Sequence, residues 1–490
     1  MKQFLSQTYL LRLVFLSCLF GLAGCTVGPN YKRPIIDAPG AYRGSAAVQA
    51  STNSQAMLQT PAKSEQTNSV VAIRSLGDEK WWEVFQDQEL QNLIRTALKN
   101  NYDVRIAASR VLQSQAIVGI TRADQLPSVA AGGNITSQQS RQLGTIPAFE
   151  VTQGQLSASA IWNLDFWGRY RRATEAARAS LYSEEWAQKV VISTLVANLA
   201  TAYFQLRELD LKLDISKRTY DSRLESLQLT KTLEQHGLNS LIDIRQSEQL
   251  LYTAATDISD FERQIAQQEN AISILTGNNP ADISRGLKLT EQPHTPEIPA
   301  GLPSELLERR ADIREAEAKL IAANAQIGVA RAAYFPQISL TGSAGFESAA
   351  LRNLFTGSAG IWNLAGTVSQ PIFEGGRLKS NVRLAEAQRE QMLLTYEQTV
   401  QGAFRDVSNG LIAYRKNREF RVHQEHLLES AQDAARLSRV RFKAGTTDYL
   451  EVLTNETNSF TAELGLAQAQ ANELLTLVQI YQSLGGGWQQ

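Results

Sequence analysis

The sequence predicts a mixed fold in which long α-helices and membrane-length β-strands occur in two internal repeats. Three observations carry this prediction. Glycine and arginine positions recur at a fixed spacing, long proline-free tracts carry a helical apolar stripe, and short segments alternate between apolar and polar residues. A fixed spacing of this size indicates one structural unit used twice.

The repeat is visible as pairs of residues spaced by 208 or 209 positions. The pairs spaced by 208 are Gly168-Arg169 with Gly376-Arg377, Gly237 with Gly445, and Gly277 with Gly485. The pairs spaced by 209 are Gly119 with Gly328, Arg122 with Arg331, Pro127 with Pro336, and Gly133 with Gly342. The frame therefore slips by one residue between Gly133 and Gly168.

The amino terminus has the features of a secretory signal. Lys2 and Arg12 precede an apolar stretch, Leu13 to Leu22, which leads into Ala23-Gly24-Cys25. This pattern predicts a cleaved signal at residues 1–24 and not a transmembrane helix. The small residues before Cys25 resemble a bacterial lipobox, which implies that Cys25 becomes the lipidated first residue. Thr26 lacks the Asp that usually retains such lipoproteins in the inner membrane, so we expect the outer membrane.

Composition excludes several classes of function. The chain has 48 basic and 49 acidic residues, and its net charge of −1 argues against a basic surface that binds nucleic acid. Its two cysteines, Cys18 and Cys25, leave the mature chain without a thiol for a disulfide, a zinc cluster or a nucleophile. The sequence has no P-loop, HExxH or GxSxG motif. We therefore expect no catalytic residues, no cofactor and no metal site, and we do not expect an enzyme.

Two proline-free tracts, from Ala148 to Asn279 and from Ile372 to Gln490, carry apolar residues in steps of four and three. The first stripe contains Leu195, Leu199, Ala202, Leu206, Leu209 and Leu213, and the second contains Leu393, Tyr396, Val400, Ala403, Val407, Leu411 and Tyr414. This spacing predicts long helices with coiled-coil-like seams. A helix from about Arg171 to Gln235 would be about 100 Å long.

Each stripe breaks at a glycine. Gly237 is followed by Leu238-Asn239-Ser240, and Gly445 is followed by Thr446-Thr447-Asp448. Glycine is favoured just after a helix, and short polar residues cap the next helix. Each repeat is thus predicted to contain a long helical hairpin with its tip at Gly237 or Gly445.

Between the prolines the apolar period changes from 3.5 to 2. Alternating residues include Val129 to Ile135, Leu156 to Leu164, Ile338 to Phe346, and Trp362 to Val368. These segments predict four strands of about ten residues, which suits a membrane span, although a soluble sheet with one buried face fits the same pattern. Four strands cannot close a barrel in lipid, so a spanning chain must oligomerise. Two copies would give eight strands and a filled interior, whereas three give twelve and a lumen. We favour the trimer.

Further segments carry a resemblance to a known family. They are Thr26-Val27-Gly28-Pro29-Asn30-Tyr31, Trp81-Trp82 with Phe85, Asp87 and Leu90, Leu307 to Arg314, Tyr334-Phe335-Pro336, and Gly485-Gly486-Gly487-Trp488. From Cys25 onward the chain resembles the outer membrane factors, the TolC-like exit ducts, and in particular their lipoprotein branch that serves RND-type efflux pumps. Ala311 stands where the family usually has proline, at a predicted helix start.

The resemblance implies a trimeric twelve-stranded barrel in the outer membrane, continued by an α-helical tunnel in the periplasm. It implies an exit duct that passively conducts drugs or other small toxic compounds. The implied partners are two further copies of the chain, a periplasmic adaptor (membrane fusion protein), an inner-membrane RND-type transporter and outer membrane lipid, without nucleic acid.

The predicted organisation has five parts. After the signal, residues 25–85 form a lipidated extended segment. Repeat 1 covers 86–279, with a helix, two strands within 128–164 and a long hairpin. A Pro-rich linker covers 280–303. Repeat 2 covers 304–488, with a helix, two strands within 337–370 and a second hairpin.

The resemblance also places a gate at the hairpin tips. Leu450 to Thr454 matches the family's tip motif, in which two acids stand three residues apart. Glu451 keeps the first acid, Thr454 replaces the second, and Thr457 stands where close relatives carry Arg. Asp243 lies 208 residues before Glu451 and offers an acid from the first hairpin. Glu451 and Asp243 are the candidate charged gate residues, and Leu450 is a candidate apolar plug.

Two other functions remain open. Helical hairpins alone would fit a periplasmic lipoprotein adaptor or scaffold that binds partners. A channel could instead serve protein secretion or metal-ion efflux. The sequence does not name the cargo, because in the resembled family the pump selects it.

Overall fold

The computed structural model describes residues 26–43, 75–139, 141, 150–293, 298–301 and 303–489. The predicted signal and Cys25 lie outside these residues. In chain order the helices and strands are α1 Trp81–Val84, α2 Gln88–Asn100, α3 Tyr102–Ala123, β1 Ser128–Gln139, β2 Glu150–Leu164, α4 Arg169–Gln235, α5 Leu241–Leu275, α6 Pro303–Arg309, α7 Ala311–Ala332, β3 Gln337–Ser348, β4 Gly360–Ser369, α8 Arg377–Lys443 and α9 Tyr449–Ser483.

The duplication is confirmed by the element lengths. Helices α4 and α8 both have 67 residues, and α5 and α9 both have 35. Helices α3 and α7 both have 22 residues, and β1 and β3 both have 12. The copies differ in β2 and β4, which have 15 and 10 residues. The one-residue slip of the frame falls in this part of the repeat.

Each repeat has two helices before its strands, where the sequence predicts one. The break in repeat 1 has a local cause at Asn101. Its Oδ1 accepts a hydrogen bond of 2.8 Å from the backbone N–H of Asp103, so Asn101 caps α3. Its Nδ2 donates to the carbonyl of Leu275 at 2.9 Å. In repeat 2 the break falls at Arg310, and Ala311 begins α7, as predicted for a helix start.

The strands form an antiparallel sheet in the order β1-β2-β3-β4. Its register places the predicted apolar residues of all four strands on one face: Ala131, Ala158, Ala344 and Trp362 share one row, and Val129, Ala160, Gly342 and Leu364 share another. The opposite face is mostly Ser, Thr, Asn and Gln, with Ala130, Val151, Ile161, Ile361 and Ala365 as apolar exceptions. Large residues of the apolar face are exposed in the single chain, with Trp362 at 81% and Leu364 at 76%.

The long helices bury the predicted seams. Leu199 and Leu206 of α4 are fully buried, and so are Ala403 and Val407 of α8. One described helix, α4, contains an 18-residue window with mean hydropathy 1.2, of which 61% is buried. A buried share of this size is typical of a core helix. A packed apolar seam can have the same mean hydropathy as a membrane-spanning helix.

The described chain falls into two compact units. The sheet unit contains the segment up to Ile35, Arg110–Glu185 and Glu315–Glu397. The helical unit contains the rest of the described chain, including both hairpin tips. Each unit draws residues from both repeats, so the predicted boundaries 86–279 and 304–488 describe repeats of sequence and stay predictions.

Within the helical unit, the buried carboxylate of Asp87 joins three parts of the chain. Its Oδ1 accepts from the N–H of Glu89 at 2.9 Å and caps α2. Its Oδ2 accepts from the Tyr203 hydroxyl of α4 at 2.9 Å, from the N–H of Leu287 at 2.9 Å and from the Gln292 amide at 3.0 Å. Burial, together with the Asp87 charge, raises the pKa of Tyr203. Of the residues that carry the resemblance in this segment, Trp81, Phe85, Asp87 and Leu90 are buried and therefore belong to the core.

We expect Asp87→Ala to destabilise the fold by about 3 kcal/mol, because several buried donors lose their acceptor. The midpoint of thermal unfolding in detergent should fall by about 5 °C or more. Asp221→Ala, which removes an exposed carboxylate from α4, is the matched control and should leave the midpoint nearly unchanged. Equal midpoints for the two variants would contradict a structural role for Asp87.

Candidate functional site at the hairpin tips

Both predicted tips lie where the helices turn. Gly237 and Gly445 have φ of 72° and 68°, a left-handed conformation that favours glycine. At the first tip the N–H of Leu238 donates to the carbonyl of Leu233 at 2.9 Å; at the second, the N–H of Thr446 donates to the carbonyl of Arg441 at 3.0 Å. These bonds close the long helices in the Schellman arrangement.

Asp243 caps the returning helix of the first hairpin. Ser240 is the N-cap of α5, and the Asp243 Oδ2 accepts from the Ser240 N–H and from its hydroxyl, both at 2.9 Å. A side-chain acceptor three residues into a helix that bonds back to the N-cap amide is half of a capping box. The first candidate gate acid therefore already stabilises the tip.

Glu451 has a different set of contacts at the second tip. Its Oε1 lies 2.6 Å from Nη1 of Arg441, across the turn, and its Oε2 accepts from the Thr447 hydroxyl. The Arg441 and Glu451 side chains are 54% and 34% exposed, so this pair is a surface ion pair that stabilises the hairpin by at most about 1 kcal/mol. Both contacts lie within one hairpin.

The two threonines of the altered tip motif bond to their own helix. The Thr454 hydroxyl donates to the carbonyl of Leu450 at 2.9 Å, and the Thr457 hydroxyl donates to that of Leu453 at 2.8 Å. Such bonds are usual for threonine inside a helix. Leu450 itself is 56% exposed in the single chain, and its counterpart in the first hairpin, Ile242, is 63% exposed.

The tips touch through a small apolar cluster. Tyr449, Val452 and Leu453 are buried together, with Leu250 of the first hairpin packed against them. The Ser247 hydroxyl also donates to the Tyr449 hydroxyl at 3.2 Å. These contacts join the two hairpins, whereas those of Glu451 do not.

Sequence reasoning missed a polar layer next to the tips. Arg439 lies 2.7 Å from Glu456, whose side chain is 8% exposed. Arg223 is buried under the Phe460 ring, 4.8 Å from its centroid, and donates to the carbonyl of Leu250 at 2.7 Å. Burial lowers the pKa of Arg223. No local motif signals these contacts, because their partners come from different helices.

The sheet unit holds the residues that follow Cys25. The N–H of Val27 donates to the carbonyl of Trp167 at 3.0 Å, and Arg172 donates to Asn30 at 2.8 Å. A Cβ added to Gly28 would lie 2.5 Å from the Cα of Gly328, so this segment and α7 are in backbone contact. The chain that leaves Cys25 is therefore fixed beside the strand ends.

A protein-family comparison matches the chain twice. The family described as outer membrane efflux protein matches residues 93–278 and 302–486. The two matched segments correspond to the two repeats that the sequence predicts. Together they cover more than half of the chain.

Individual relatives are similar along nearly their full length. TtgC of Pseudomonas putida, a probable efflux pump outer membrane protein, is 35% identical over 477 residues, which cover 96% of this chain and 94% of the relative. SilC of Salmonella typhimurium, a probable outer membrane lipoprotein, is 32% identical over 480 residues, with 98% and 99% covered. The open state of the MtrE outer membrane channel of Neisseria gonorrhoeae superposes with a TM-score of 0.82 at 31% identity, with 95% and 99% covered.

We expect Asp243→Ala to loosen the first tip, because the Ser240 amide loses its acceptor. A lost cap costs about 1 kcal/mol, so hydrogen exchange at the first turn of α5 should accelerate roughly fivefold. Asp243→Asn keeps a side-chain oxygen and is the matched control, with exchange near that of the unchanged chain. Equal acceleration in both variants would show that the charge, and not the hydrogen bond, holds the turn.

Proposed function

The chain belongs to the outer membrane efflux protein family and is an outer-membrane efflux channel, and we propose that three copies form the exit duct of a tripartite system. The trimer closes a twelve-stranded barrel, four strands from each copy. The helical hairpins gate the periplasmic end, and transport through the duct is passive.

The sheet carries this proposal. Its four strands have 10 to 15 residues, one apolar and exposed face, and one polar face. An exposed apolar face suits lipid, and a polar face suits a water-filled lumen. A soluble adaptor would bury the apolar face against its own helices. In the described residues large side chains of that face, such as Val129 at 74% and Trp362 at 81%, are exposed instead.

The gate is proposed to consist of Glu451, with Asp243 and Leu450 beside it. Three Glu451 carboxylates near the axis of a trimer would attract cations. Arg441 partly neutralises each of them, since its guanidinium lies 2.6 Å away. The ion selectivity of the constriction then depends on the net charge of Glu451 and Arg441. Thr454 adds no charge, because it replaces the family's second acid.

The proposed partners are a periplasmic adaptor and an inner-membrane RND-type transporter. The proposed cargo is a drug or another small toxic compound that the transporter selects. We further propose that Cys25 carries the lipid anchor. The hydrogen bonds of Val27 and Asn30 near the strand ends support this assignment, because they hold the lipidated residue beside the membrane-spanning sheet.

We expect the two tip substitutions to shift ion selectivity in opposite directions. In planar bilayers under a KCl gradient, Arg441→Ala should raise the cation-to-anion permeability ratio, and Glu451→Gln should lower it. Each change should be about two- to fivefold, as expected for roughly 0.5–1 kcal/mol at an exposed charge. The reversal potential measures the ratio directly.

The control for both variants is Glu429→Gln, which removes a carboxylate that is 83% exposed on α8 away from the tips. It should leave the reversal potential unchanged. An equal shift in the control, or identical reversal potentials for Arg441→Ala and Glu451→Gln, would exclude a charged gate at Glu451.

Lipidation of Cys25 is tested on the mature protein. Mass spectrometry of the amino-terminal tryptic peptide, Cys25 to Lys32, should show the mass of an acylated diacylglyceryl group. Cys25→Ser should yield no lipidated peptide. A mature chain in which the Cys25 thiol reacts with maleimide would refute the anchor.

A further inference from the structure

We infer that Ile372 and Phe373, which follow β4, pack on Leu126 of a second copy of the chain. This contact extends the β4–β1 interface between copies beyond the strands. This inference rests on the proposed trimeric barrel. It assigns a specific contact between copies, with Ile372 and Phe373 on one copy and Leu126 on the other.

The junction between the repeats shows the contact within one chain. Trp167, just after β2, stacks on Phe335, just before β3, with ring centroids 4.7 Å apart. The Trp167 indole N–H also donates to the carbonyl of Pro336 at 2.9 Å. An aromatic contact at the strand ends thus joins the last strand of the first repeat to the first strand of the second repeat.

The outer ends of the sheet also carry apolar residues close to the corresponding places. Leu126 precedes β1 and corresponds to Phe335 at the 209 spacing. In the turn after β4, Gly375 corresponds to Trp167 at the 208 spacing, and Ile372 and Phe373 stand three and two residues before it. Leu126 is 63% exposed, Ile372 is 90% exposed and Phe373 is 89% exposed. Phe335 and Trp167 are only partly exposed, because they cover each other.

Ring closure would bring these residues together. In a closed barrel β4 of one copy pairs with β1 of the next, and antiparallel pairing sets the end of β4 beside the start of β1. Ile372 and Phe373 then meet Leu126 of the neighbour. Within one sheet the two edge strands are separated by three strand spacings, roughly 14 Å, so one chain cannot make this contact directly.

A second copy fits this surface better than lipid does. A bilayer would contact the ends of all four strands alike, whereas the most exposed large side chains at these ends lie at the two edges; Tyr334, before β3, is only 43% exposed. Helix α3 shows the same difference, since Ile120 is 65% exposed while its counterpart in α7, Val329, is partly buried. The surface is therefore unpartnered where a neighbouring copy would lie.

Cysteine crosslinking tests the contact cleanly, because the sequence has no cysteine other than Cys18 and Cys25. The double variant Leu126→Cys, Phe373→Cys is purified in detergent and treated with a short bismaleimide. We expect dimer and trimer bands on a denaturing gel in most of the protein. The matched control is Tyr252→Cys, Phe373→Cys, since Tyr252 is 65% exposed on α5 and belongs to the helical unit.

The native mass of the untreated protein distinguishes a failure of the proposed contact from a failure of the proposed trimer. A trimeric mass with trimer bands from the Leu126 pair and not from the Tyr252 pair supports the inference. A trimeric mass with only monomer bands from the Leu126 pair overturns the contact and leaves the proposed duct standing. A monomeric mass in the unchanged chain overturns both. Equal bands from both pairs would mean non-specific collision and would also overturn the contact.

Discussion

The edge strands β1 and β4 carry backbone N–H and C=O groups that no other described strand pairs. In lipid each such group would cost several kcal/mol, since no water is present to bond it. A chain with four membrane strands must therefore find its missing partners in copies of itself. The exposed apolar residues at the sheet edges fit that requirement. The apolar and polar faces fit a sheet with lipid on one side and water on the other.

The two repeats keep their helix lengths but diverge in their polar contacts. Tyr203, which bonds to Asp87, has Leu411 as its counterpart, so the second repeat cannot form the same buried network. At the tips, Asp243 and Glu451 are counterparts with different partners. Ser240 lets Asp243 cap its helix, whereas Asp448 at the same place carries a like charge that disfavours a cap by Glu451. Leu233 corresponds to Arg441, which binds Glu451 instead.

Periodicity predicted most of the fold from the sequence. The apolar seam is continuous from about Arg171 to Gln235 and therefore predicts one helix over that length. Helix α4 runs from Arg169 to Gln235. The strands were predicted because a change of period is a local property. The capping role of Asp243 was also readable, since Ser240 and Asp243 have the spacing of a capping box. The Asp87 network and the Arg439–Glu456 pair were not, since their partners are distant in sequence or on separate helices and leave no periodic signal.

The tip contacts divide into those that move with a hairpin and those that resist its movement. The Arg441–Glu451 pair lies within one hairpin, so a rigid rotation of that hairpin would carry the pair along unbroken. The Ser247–Tyr449 hydrogen bond and the packing of Leu250 on the cluster of Tyr449, Val452 and Leu453 join the two hairpins and would be lost if they separated. In the proposed gate the ion pair therefore sets which ions pass. The cost of opening within one copy comes instead from the contacts between the hairpins. These include the small apolar cluster, the Ser247–Tyr449 hydrogen bond, the Arg223–Phe460 contact and the Arg218–Glu463 ion pair.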